Sequence, residues 1–426
     1  MTSRAIVRAY LGGREDSHGR VASWRVVYRQ MAVDFEPHEL WSEAARLDRH
    51  AFYARVREAG EPVPQTDPNS GQRFWVLARH ADVHAGLRHP DLGHEVRRHQ
   101  SDPAPARVLV SEAERLDSRQ LICLDPPDHT RLRGFINTAF TARTVARLET
   151  RIEALIDGLL ADARQRGTVD GVADLGHPVP VGVIADLVGI PAEDRERFRG
   201  WSRAMISGGR AWAVASEQFA AYLDDLAAKR RADPQDDLLS ALVALQIAGD
   251  SLDRDELVAM IQLLLVAGQE TSVDLIANGI LALLSNPDQW QLLKDDPSRA
   301  AAAVEEIIRY DGPVEIAPPR YTFRGIELGG GAIPPFEIVA LSLLGANRDP
   351  EVFTDPDVFD ITRSDAKHHV GFGHGIHFCL GAPLARLQGR IMFEKLAQQL
   401  PDLRLLAEPD QLRGVNPRLT ALPLAV

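Results

Sequence analysis

The sequence predicts a mainly α-helical fold with a small β region, built as a single large domain. Long stretches rich in leucine and alanine carry apolar residues at helical spacing, which indicates amphipathic helices. Two short apolar runs, at 74–77 (FWVL) and 338–341 (IVAL), have the length and composition of strands. No linker interrupts the 426 residues, so a chain with 45% hydrophobic residues can bury one large core.

Composition limits the expected partners and compartment. The formal net charge of −12 disfavours nucleic acid and anionic membranes as general partners, because both carry negative charge. No uninterrupted apolar run reaches the roughly 18–20 residues that a membrane-spanning helix needs. With only 2 cysteines, a structural disulfide is not expected, and Cys123 fits a buried apolar position. These features predict a cytoplasmic protein.

Residues 1–32 differ from the rest of the chain. In this segment the arginines, which are Arg4, Arg8, Arg14, Arg20, Arg25 and Arg29, outnumber the acids Glu15 and Asp16. We expect an N-terminal extension at 1–32 and a main domain at 33–426. An ordered segment, a disordered arm and an upstream choice of start site remain alternatives, and an arginine-rich leader is also typical of transit peptides.

A helix is predicted to start at 125–127, where Asp125 can cap it and proline occupies the first helical position. Five side chains then share one face: His129, Leu132, Arg133, Ile136 and Phe140. Two potentially cationic groups on an apolar face need anionic partners, because burying a lone charge is costly. The alternative is a helix edge with solvated His129 and Arg133. Arg131 points away from this face and is expected to be a surface charge.

A long apolar helix is predicted to open near Asp253 or Asp255 and to end at Asn286. Its middle reads AGQET at 267–271, with two adjacent polar residues, Glu270 and Thr271, inside an apolar stretch. The Thr271 hydroxyl can donate to the carbonyl four residues earlier and loosen the helix, and a glycine at 268 costs about 1 kcal/mol relative to alanine. We expect room there for dioxygen or water, with a satisfied core threonine as the alternative.

Glu306 and Arg309 lie three residues apart on a helix predicted to be capped at Ser298 and to stop at Gly312. Such i,i+3 pairs are common on exposed helices, where they contribute only a few tenths of a kcal/mol. By itself, the pair therefore indicates nothing beyond a helix surface.

The segment 372–381 (FGHGIHFCLG) presents one cysteine on a glycine-rich loop that leads into an amphipathic helix. At a helix N-terminus the dipole and the unpaired amides favour a thiolate at Cys379. The glycines Gly373, Gly375 and Gly381 let the backbone approach a flat macrocycle closely. A thiolate held in this way can ligate haem iron. The alternatives are a zinc site using neighbouring histidines, which would lack the usual paired ligands, and a solvated loop.

Phe372, Gly373, Gly375, His377, Cys379 and Gly381 resemble the haem-binding signature of the cytochrome P-450 family. The extension at 380–386 (LGAPLAR) is similar to soluble bacterial members. The resemblance implies a cytochrome P-450 fold, a catalytic domain at 33–426, and haem b with Cys379 as the iron ligand. Phe372, Gly373, His377 and Gly381 would then contact the cofactor.

The other three segments also match this family. Glu270 and Thr271 resemble its acid–threonine pair, which supplies protons for dioxygen activation. His129, Arg133 and Arg320 match its ligands for the haem propionates. Glu306 and Arg309 match its E-x-x-R motif. The family often closes that network with the arginine of a P-x-R-F segment, but 356–359 reads PDVF here, so no third partner is assigned.

The resemblance implies a monooxygenase that inserts one oxygen atom of O₂ into an organic substrate. No GxGxxG nucleotide site is present, so electrons are expected from a ferredoxin or flavodoxin with its NAD(P)H-dependent reductase. The alternatives are a peroxide-driven haem enzyme and a non-enzymatic haem sensor, neither of which needs the acid–threonine pair.

The family places its variable substrate pocket around segments that here include Val266, Ala267, Ile316 and Ala317. These small or aliphatic walls suit a bulky, largely apolar substrate, which would be hydroxylated or epoxidised. Likeness to actinobacterial secondary-metabolite members favours a macrolide or other polyketide, with a steroid or terpenoid as the alternative. Glu315 could contact an amino group of such a ligand, or could be a solvated loop carboxylate.

Overall fold

The structure is a computed structural model that describes residues 34–99, 111–139, 142–207, 209–247, 252–412 and 418–426. The extension at 1–32 and Phe140 lie outside these ranges. The α-helices are α1 (Glu43–Leu47), α2 (Arg49–Ala59), α3 (His80–Gly86), α4 (Glu112–Ser118), α5 (Asp128–Ala139), α6 (Ala142–Arg166), α7 (Pro178–Val188), α8 (Arg195–Ser207), α9 (Gly209–Ala232), α10 (Leu238–Ile247), α11 (Arg254–Ser285), α12 (Pro287–Asp295), α13 (Ala300–Asp311), α14 (Leu343–Ala346), α15 (Ala382–Gln399) and α16 (Pro409–Leu412).

Short strands complete the predicted mainly α-helical single domain with its small β region. They are β1 (Val63–Thr66), β2 (Arg73–Leu77), β3 (Leu92–Gly93), β4 (Thr168–Asp170), β5 (Arg320–Thr322), β6 (Ile326–Leu328), β7 (Gly331–Ile333), β8 (Ile338–Leu341), β9 (Arg404–Leu405) and β10 (Pro423–Ala425). Within the described ranges, these strands form three sheets with strand orders β1-β2-β8-β5-β3, β4-β10-β9 and β6-β7. Both predicted strand runs are confirmed, and they pair in parallel with Phe74 opposite Ile338.

The largest sheet positions part of the site. Strand β5 pairs with β3 in an antiparallel manner, with Tyr321 opposite Gly93. Arg320 therefore stands at the start of β5, beside the residue that follows β3, which is His94. Two segments that are far apart in the sequence thus present an arginine and a histidine at one sheet edge.

Helix α11 is the central helix of the fold and packs against α7, α13 and α15. The Asp253 carboxylate accepts from the Glu256 amide at 2.8 Å, and the Glu256 side chain accepts in return from the Asp253 amide at 3.0 Å. This capping box confirms the first of the two predicted helix starts. The helix ends at Asn286, as predicted, before the proline that begins α12.

Two helical segments, Gly171–Val188 and Arg254–Ser285, are long and apolar enough to cross a membrane by length and composition. In both, most of the apolar window is buried inside the protein, at 67% and 61%. Core helices of a folded domain have this same composition, because they are surrounded by other apolar side chains. Both segments act here as core helices.

Two predicted helix caps are wrong. The Asp125 carboxylate accepts from the backbone amides of His94 and Glu95, at 2.8 and 2.7 Å, and α5 begins only at Asp128. A carboxylate engaged by a distant loop is not available to cap its own helix. Ser298 likewise lies within a 3₁₀ turn that Asp296 caps, and α13 begins two residues later.

The expected opening of α11 is not seen, because the helix continues unbroken through its middle. A Cβ atom on Gly268 would lie 2.8 Å from Cδ1 of Ile184 on α7. Gly268 therefore allows α7 and α11 to approach closely, because Ile184 packs in the space that a side chain would fill.

Candidate active site

Cys379 lies three residues before the start of α15, on a loop closed by its own amide, which donates to the Phe372 carbonyl at 2.9 Å. Gly373 and Gly375 have φ values of +71° and +76°, where a side chain would be strained. Gly381 is the N-cap of α15. The loop thus places one thiol just before a helix N-terminus, as predicted.

The protonation state expected for Cys379 needs correction. Burial raises the pKa of its thiol, although the Gly381 and Ala382 amides and the Arg133 charge act in the opposite direction. For this buried sulfur, the loss of solvation outweighs the helix N-terminus. A coordinated metal cation would reverse that balance, because a coordinating thiol gives up its proton.

A cluster of basic side chains, three histidines and an arginine that form the cationic cluster, lies next to this loop. The imidazole rings of His129 and His377 are 4.2 Å apart, and that of His94 is 4.7 Å from His377. His129 and Arg320 are only 2% and 5% exposed. Burial lowers the pKa of His94 to about 4 and that of His377 to about 2, and the neighbouring positive charges act in the same direction.

Several nitrogen atoms of this cluster are buried without a hydrogen-bond partner among the described residues. They are Nδ1 and Nε2 of His129, Nε2 of His377 and Nε of Arg320. Buried polar groups without partners cost roughly 1–3 kcal/mol each, so such a concentration indicates a missing ligand. The Arg320 Nε is an N–H donor without an acceptor, and the neutral His129 ring carries one N–H whichever tautomer it adopts, so an anionic ligand would satisfy both groups.

Arg133 connects α5 with the cysteine loop. Its Nη2 donates to the carbonyl of Phe378, the residue before Cys379, at 2.8 Å. The structure therefore brings His129, Arg133, Arg320 and His377 into one region with the thiol. Sequence reasoning missed His94, which matches no motif; its only signal was a histidine following a short strand.

The predicted polar pair on α11 is also in place. The Thr271 hydroxyl donates to the Ala267 carbonyl at 2.7 Å, as predicted. Glu270 accepts from Nη1 of Arg418, near the C-terminus. Sequence reasoning did not find Arg418, because nothing local links it to a helix almost 150 residues earlier.

Glu306 and Arg309 form a fully buried ion pair, with both side chains 0% exposed. Nε and Nη2 of Arg309 donate to the two carboxylate oxygens at 2.7 and 2.8 Å. The remaining Arg309 hydrogens go to the carbonyls of Asn347, Pro356 and Val358. The pair is therefore part of the core.

The partner that the sequence left unassigned is Arg363. Its Nε lies 3.4 Å from Oε2 of Glu306, and its side chain is 7% exposed. Val358 contributes only its carbonyl oxygen to the network. Arg363 was missed because the expected motif placed an arginine five positions earlier.

Comparison with known proteins identifies the family. A family model described as Cytochrome P450 matches residues 300–401. Cytochrome P450 107B1 of Saccharopolyspora erythraea is 43% identical over 381 residues, which cover 88% of this chain and 93% of that protein. The chain belongs to the cytochrome P450 family. Vitamin D(3) 25-hydroxylase of Pseudonocardia autotrophica is also 43% identical, over 88% of this chain and 92% of its own length.

Solved structures agree with this P450 assignment. The P450 PksS of Bacillus subtilis, described as belonging to the bacillaene polyketide synthase, superposes with a TM-score of 0.83 at 33% identity, covering 92% of this chain and 99% of that one. The protein is thus a P450 monooxygenase of bacterial type, and bacterial P450s use O₂ and redox partners such as ferredoxin. The family implies a haem-thiolate cofactor.

The residues of this P450 fit such a cofactor. A single thiol stands on a glycine turn, and the unpartnered nitrogens of His129, His377 and Arg320 lie in the same region. No group of three or more histidine, cysteine, aspartate or glutamate side chains able to hold a metal ion occurs among the described residues, so the zinc alternative has no ligand set there. A ligand with anionic substituents and a metal that binds one sulfur satisfies both sets of groups.

A cavity of about 850 Å³ lies beside the start of β5. It is lined in part by Trp41, Phe74, Ile316 and Ala317, with Arg49 also in its wall. Val266 and Ala267 on α11 are not among its lining residues. The structure therefore brings two of the four predicted pocket residues to this cavity and places the other two elsewhere.

Two charged side chains that the sequence singled out are held by ion pairs. Glu315 accepts from the Tyr53 hydroxyl at 2.6 Å and lies 3.4 Å from Nη1 of Arg49, and because its side chain is 28% exposed at the cavity wall, its contact with a ligand stays a prediction. Arg131 is not a simple surface charge, since it pairs with the largely buried Glu256 of α11. Both side chains serve to connect elements of the fold.

Proposed function

We propose that this P450 binds haem b through the Cys379 thiolate and inserts one oxygen atom of O₂ into a bulky, largely apolar substrate. The observation that carries the proposal is the Cys379 loop beside a cluster of buried histidine and arginine nitrogens that have no hydrogen-bond partner among the described residues. Haem ligated by a thiolate supplies the oxygen chemistry, because the sulfur pushes electron density toward O–O cleavage. Phe372, Gly373, His377 and Gly381 would frame the cofactor around the sulfur.

The cationic cluster would hold the propionates. His129, Arg133 and Arg320 are the predicted ligands, and the position of His94 adds a fourth side chain to the set. Charge-assisted hydrogen bonds to carboxylates are roughly twice as strong as neutral ones, so each donor contributes to cofactor retention. Neutral histidines, as their lowered pKa values indicate, would donate through one ring nitrogen each.

Replacing Arg320 with glutamine should weaken haem retention by about tenfold or more, because a buried propionate would lose an ionic donor. The measurement is the rate of haem transfer to an excess of a haem-scavenging protein. Arg324→Gln is the matched control, since Arg324 lies four residues further along the same strand region, is 73% exposed and pairs only at the surface with Asp91. Equal rates for the two variants would remove Arg320 from the cofactor site.

Proton delivery is assigned to Glu270 and Thr271. The Thr271 hydroxyl donates to the Ala267 carbonyl, so its oxygen can still accept hydrogen bonds and would orient a water molecule. Glu270, its neighbour, supplies an ionisable group on the same helix turn. A peroxide-driven enzyme or a haem sensor has no need of this arrangement, so the pair favours O₂ and external electrons.

Thr271→Ala should retain haem and substrate binding but release more hydrogen peroxide per NADPH consumed. General acid–base contributions are typically 10²–10⁴-fold, although water replaces a lost hydroxyl in part. The measurement is the ratio of peroxide to NADPH, with Thr271→Ser as the control that keeps the hydroxyl. A wild-type ratio in the alanine variant would show that the hydroxyl only satisfies the Ala267 carbonyl.

Glu306 and Arg309 are assigned a structural role, because no solvent or ligand reaches a pair with 0% exposure.

Electrons are proposed to come from a ferredoxin or flavodoxin with its NAD(P)H-dependent reductase, and the protein is proposed to be cytoplasmic. Ile376 and Phe378, next to Cys379, are 49% and 39% exposed, which provides an apolar patch near the thiol for such a partner.

The proposed substrate is a polyketide or macrolide of secondary metabolism, hydroxylated or epoxidised. The likeness to PksS, described as a polyketide synthase P450, supports this class. The alternative is a steroid or terpenoid, which the 43% identity to vitamin D(3) 25-hydroxylase favours. The cavity that Ile316 and Ala317 line offers mostly apolar walls at a volume suited to either class.

The experiment that tests this function is turnover of the purified haem protein under three conditions. Macrolides, steroids, terpenoids and small aromatics are first screened for the low-to-high-spin spectral shift. Compounds that bind are then incubated with a ferredoxin and its reductase, with hydrogen peroxide alone, or with neither. Oxygenated product only with the redox chain supports the monooxygenase. Product with peroxide alone, or no product at all, would favour the two alternatives, and binding confined to small aromatics would contradict the large substrate.

A further inference from the structure

Arg418 joins two carboxylates that lie one turn apart on α11. Its Nη1 donates to Oε2 of Glu270, and its Nε lies 3.1 Å from Oδ2 of Asp274. The Arg418 side chain is 43% exposed, whereas those of Glu270 and Asp274 are 22% and 9% exposed. One guanidinium therefore holds the two acids side by side, the first of them next to Thr271.

Asp274 is the more deeply buried of the two acids. Burial is the main cause that raises the pKa of its carboxyl group to about 6; the Glu270 and Asp311 charges act in the same direction, and the Arg418 and Arg49 charges oppose the rise. These four groups come from α11, α13, the C-terminal segment and α2. A carboxyl group with such a pKa exchanges its proton near neutral pH, which an ordinary aspartate does not.

Two groups whose charges act on the Asp274 carboxyl, Asp311 and Arg49, are paired with each other near the cavity of about 850 Å³. Nη2 of Arg49 lies 3.4 Å from Oδ1 of Asp311, and its Nη1 lies 3.4 Å from Oε2 of Glu315. Arg49 and Glu315 both line that cavity, whereas Asp311 is only 3% exposed. Arg49 therefore links the buried Asp311 with the cavity.

We propose that Arg418 is a positioning residue that holds Glu270 beside Asp274, and that Asp274 replaces the proton which Glu270 passes toward Thr271. The proton moves from the Asp274 carboxyl to the Glu270 carboxylate, and the Asp274 carboxylate left behind pairs with Arg418. Solvent water returns a proton to Asp274 from the side of the partly exposed Arg418, so the cycle is balanced and no electrons move. The inference rests on the proposed monooxygenase function and adds the source of its protons.

The first test needs no turnover. The carbonyl stretch of protonated carboxyl groups is followed by infrared spectroscopy against pH in the haem-loaded protein. We expect a band that titrates near pH 6 in the wild type, is lost in Asp274→Asn, and titrates at higher pH in Arg418→Gln, because a neutral side chain no longer favours the carboxylate. Arg115→Gln is the matched control, since Arg115 is 46% exposed and also pairs with an acid of α11, Asp255. A titration unchanged in Asp274→Asn or in Arg418→Gln would overturn the proposal.

Stability gives an independent readout of the same group. Folded Asp274 has a pKa above its ordinary value, so the folded state binds the extra proton, and this stabilising contribution is lost as pH rises through about 6. Asparagine has no such pH dependence. The unfolding temperature of Asp274→Asn, relative to the wild type, should therefore rise between about pH 4 and pH 7. A constant difference over that range would contradict a raised pKa.

The second test separates proton delivery from structure. Oxygen reduction driven by NADPH, a plant-type ferredoxin and its reductase is compared with oxidation of guaiacol by hydrogen peroxide, which brings its own protons. Asp274→Asn and Arg418→Gln should slow the first reaction by about tenfold or more and enlarge its solvent deuterium isotope effect, while leaving guaiacol oxidation unchanged. Arg418→Lys should restore part of the rate, because it keeps the positive charge.

Each outcome of this second test is informative. Equal losses in both reactions would make Arg418 and Asp274 structural, and an unchanged isotope effect would remove Asp274 from the proton route. A wild-type protein that reduces no oxygen with the redox chain would overturn the proposed function as well. Normal wild-type reduction with an unaffected Asp274→Asn variant would overturn the proton source alone.

Discussion

Cys379→Ala should abolish the red-shifted Soret band that marks a thiolate ligand in the ferrous carbon monoxide complex, and with it all oxygenation. The reason is local: Cys379 is one of only 2 cysteines, and no other sulfur lies on the glycine loop. Cys123→Ala is the matched control. Burial raises the pKa of the Cys123 thiol to about 11, and its replacement should leave the spectrum unchanged.

The Cys379→Ala result also separates cofactor loss from misfolding. The cationic cluster should still bind some haem, which would then show the spectrum of a nitrogen or water ligand. A thiolate-type spectrum in Cys379→Ala would contradict the assignment of Cys379 as the iron ligand. Stoichiometric zinc in the purified wild-type protein, with no haem, would do the same.

Arg309→Met should destabilise the protein by about 3–5 kcal/mol, because it removes the bidentate partner of a buried carboxylate and the donor to three carbonyls. Glu306 would keep only the Asp360 amide, at 2.9 Å, and Arg363, at 3.4 Å. The measurement is the free energy of unfolding of the haem-loaded protein in urea, or the yield of folded protein if the variant does not accumulate.

Arg199→Met is the control for that effect, since Arg199 forms the same i,i+3 pairing with Glu196 at side-chain exposures of 48% and 76%. It should cost less than about 1 kcal/mol, which is typical of surface pairs. A loss in Arg309→Met no larger than in Arg199→Met would show that the Asp360 amide and Arg363 support Glu306 without Arg309. The double variant Arg309→Met with Arg363→Met would then measure how strongly the two arginines are coupled.

Features encoded within a few adjacent residues were predictable from the sequence. The cysteine loop, the long central helix and the hydrogen bond of Thr271 to a carbonyl four residues earlier depend on local spacing, and the structure agrees with each. The mainly α-helical class followed from periodicity in the same way. Local patterns predict local geometry because helices and turns form between near neighbours.

Features that depend on distant segments were not predictable. Asp125 was expected to cap its own helix, but it accepts from amides about 30 residues earlier. Arg363 and Arg418 contact acids 57 and 148 residues away in the sequence, and no spacing rule connects them. The pKa of the Cys379 thiol was misjudged because its burial depends on the packing of the whole molecule. A single sequence does not show which distant residues will pack around a side chain and exclude water from it.

The cationic cluster has a consequence for how much of this protein a cell can maintain. Its members His94, His129, Arg320 and His377 come from four widely separated stretches, which only the complete fold brings together. An unfolded chain therefore has no comparable affinity for the cofactor, and occupancy adds RT ln(1 + [L]/Kd) to the free energy of unfolding. At a free cofactor concentration of about 100 times Kd, that addition is about 2.7 kcal/mol. Cells with a limited haem supply should accumulate less of the protein through proteolysis of the unfilled chain, so abundance would follow cofactor supply even at constant synthesis.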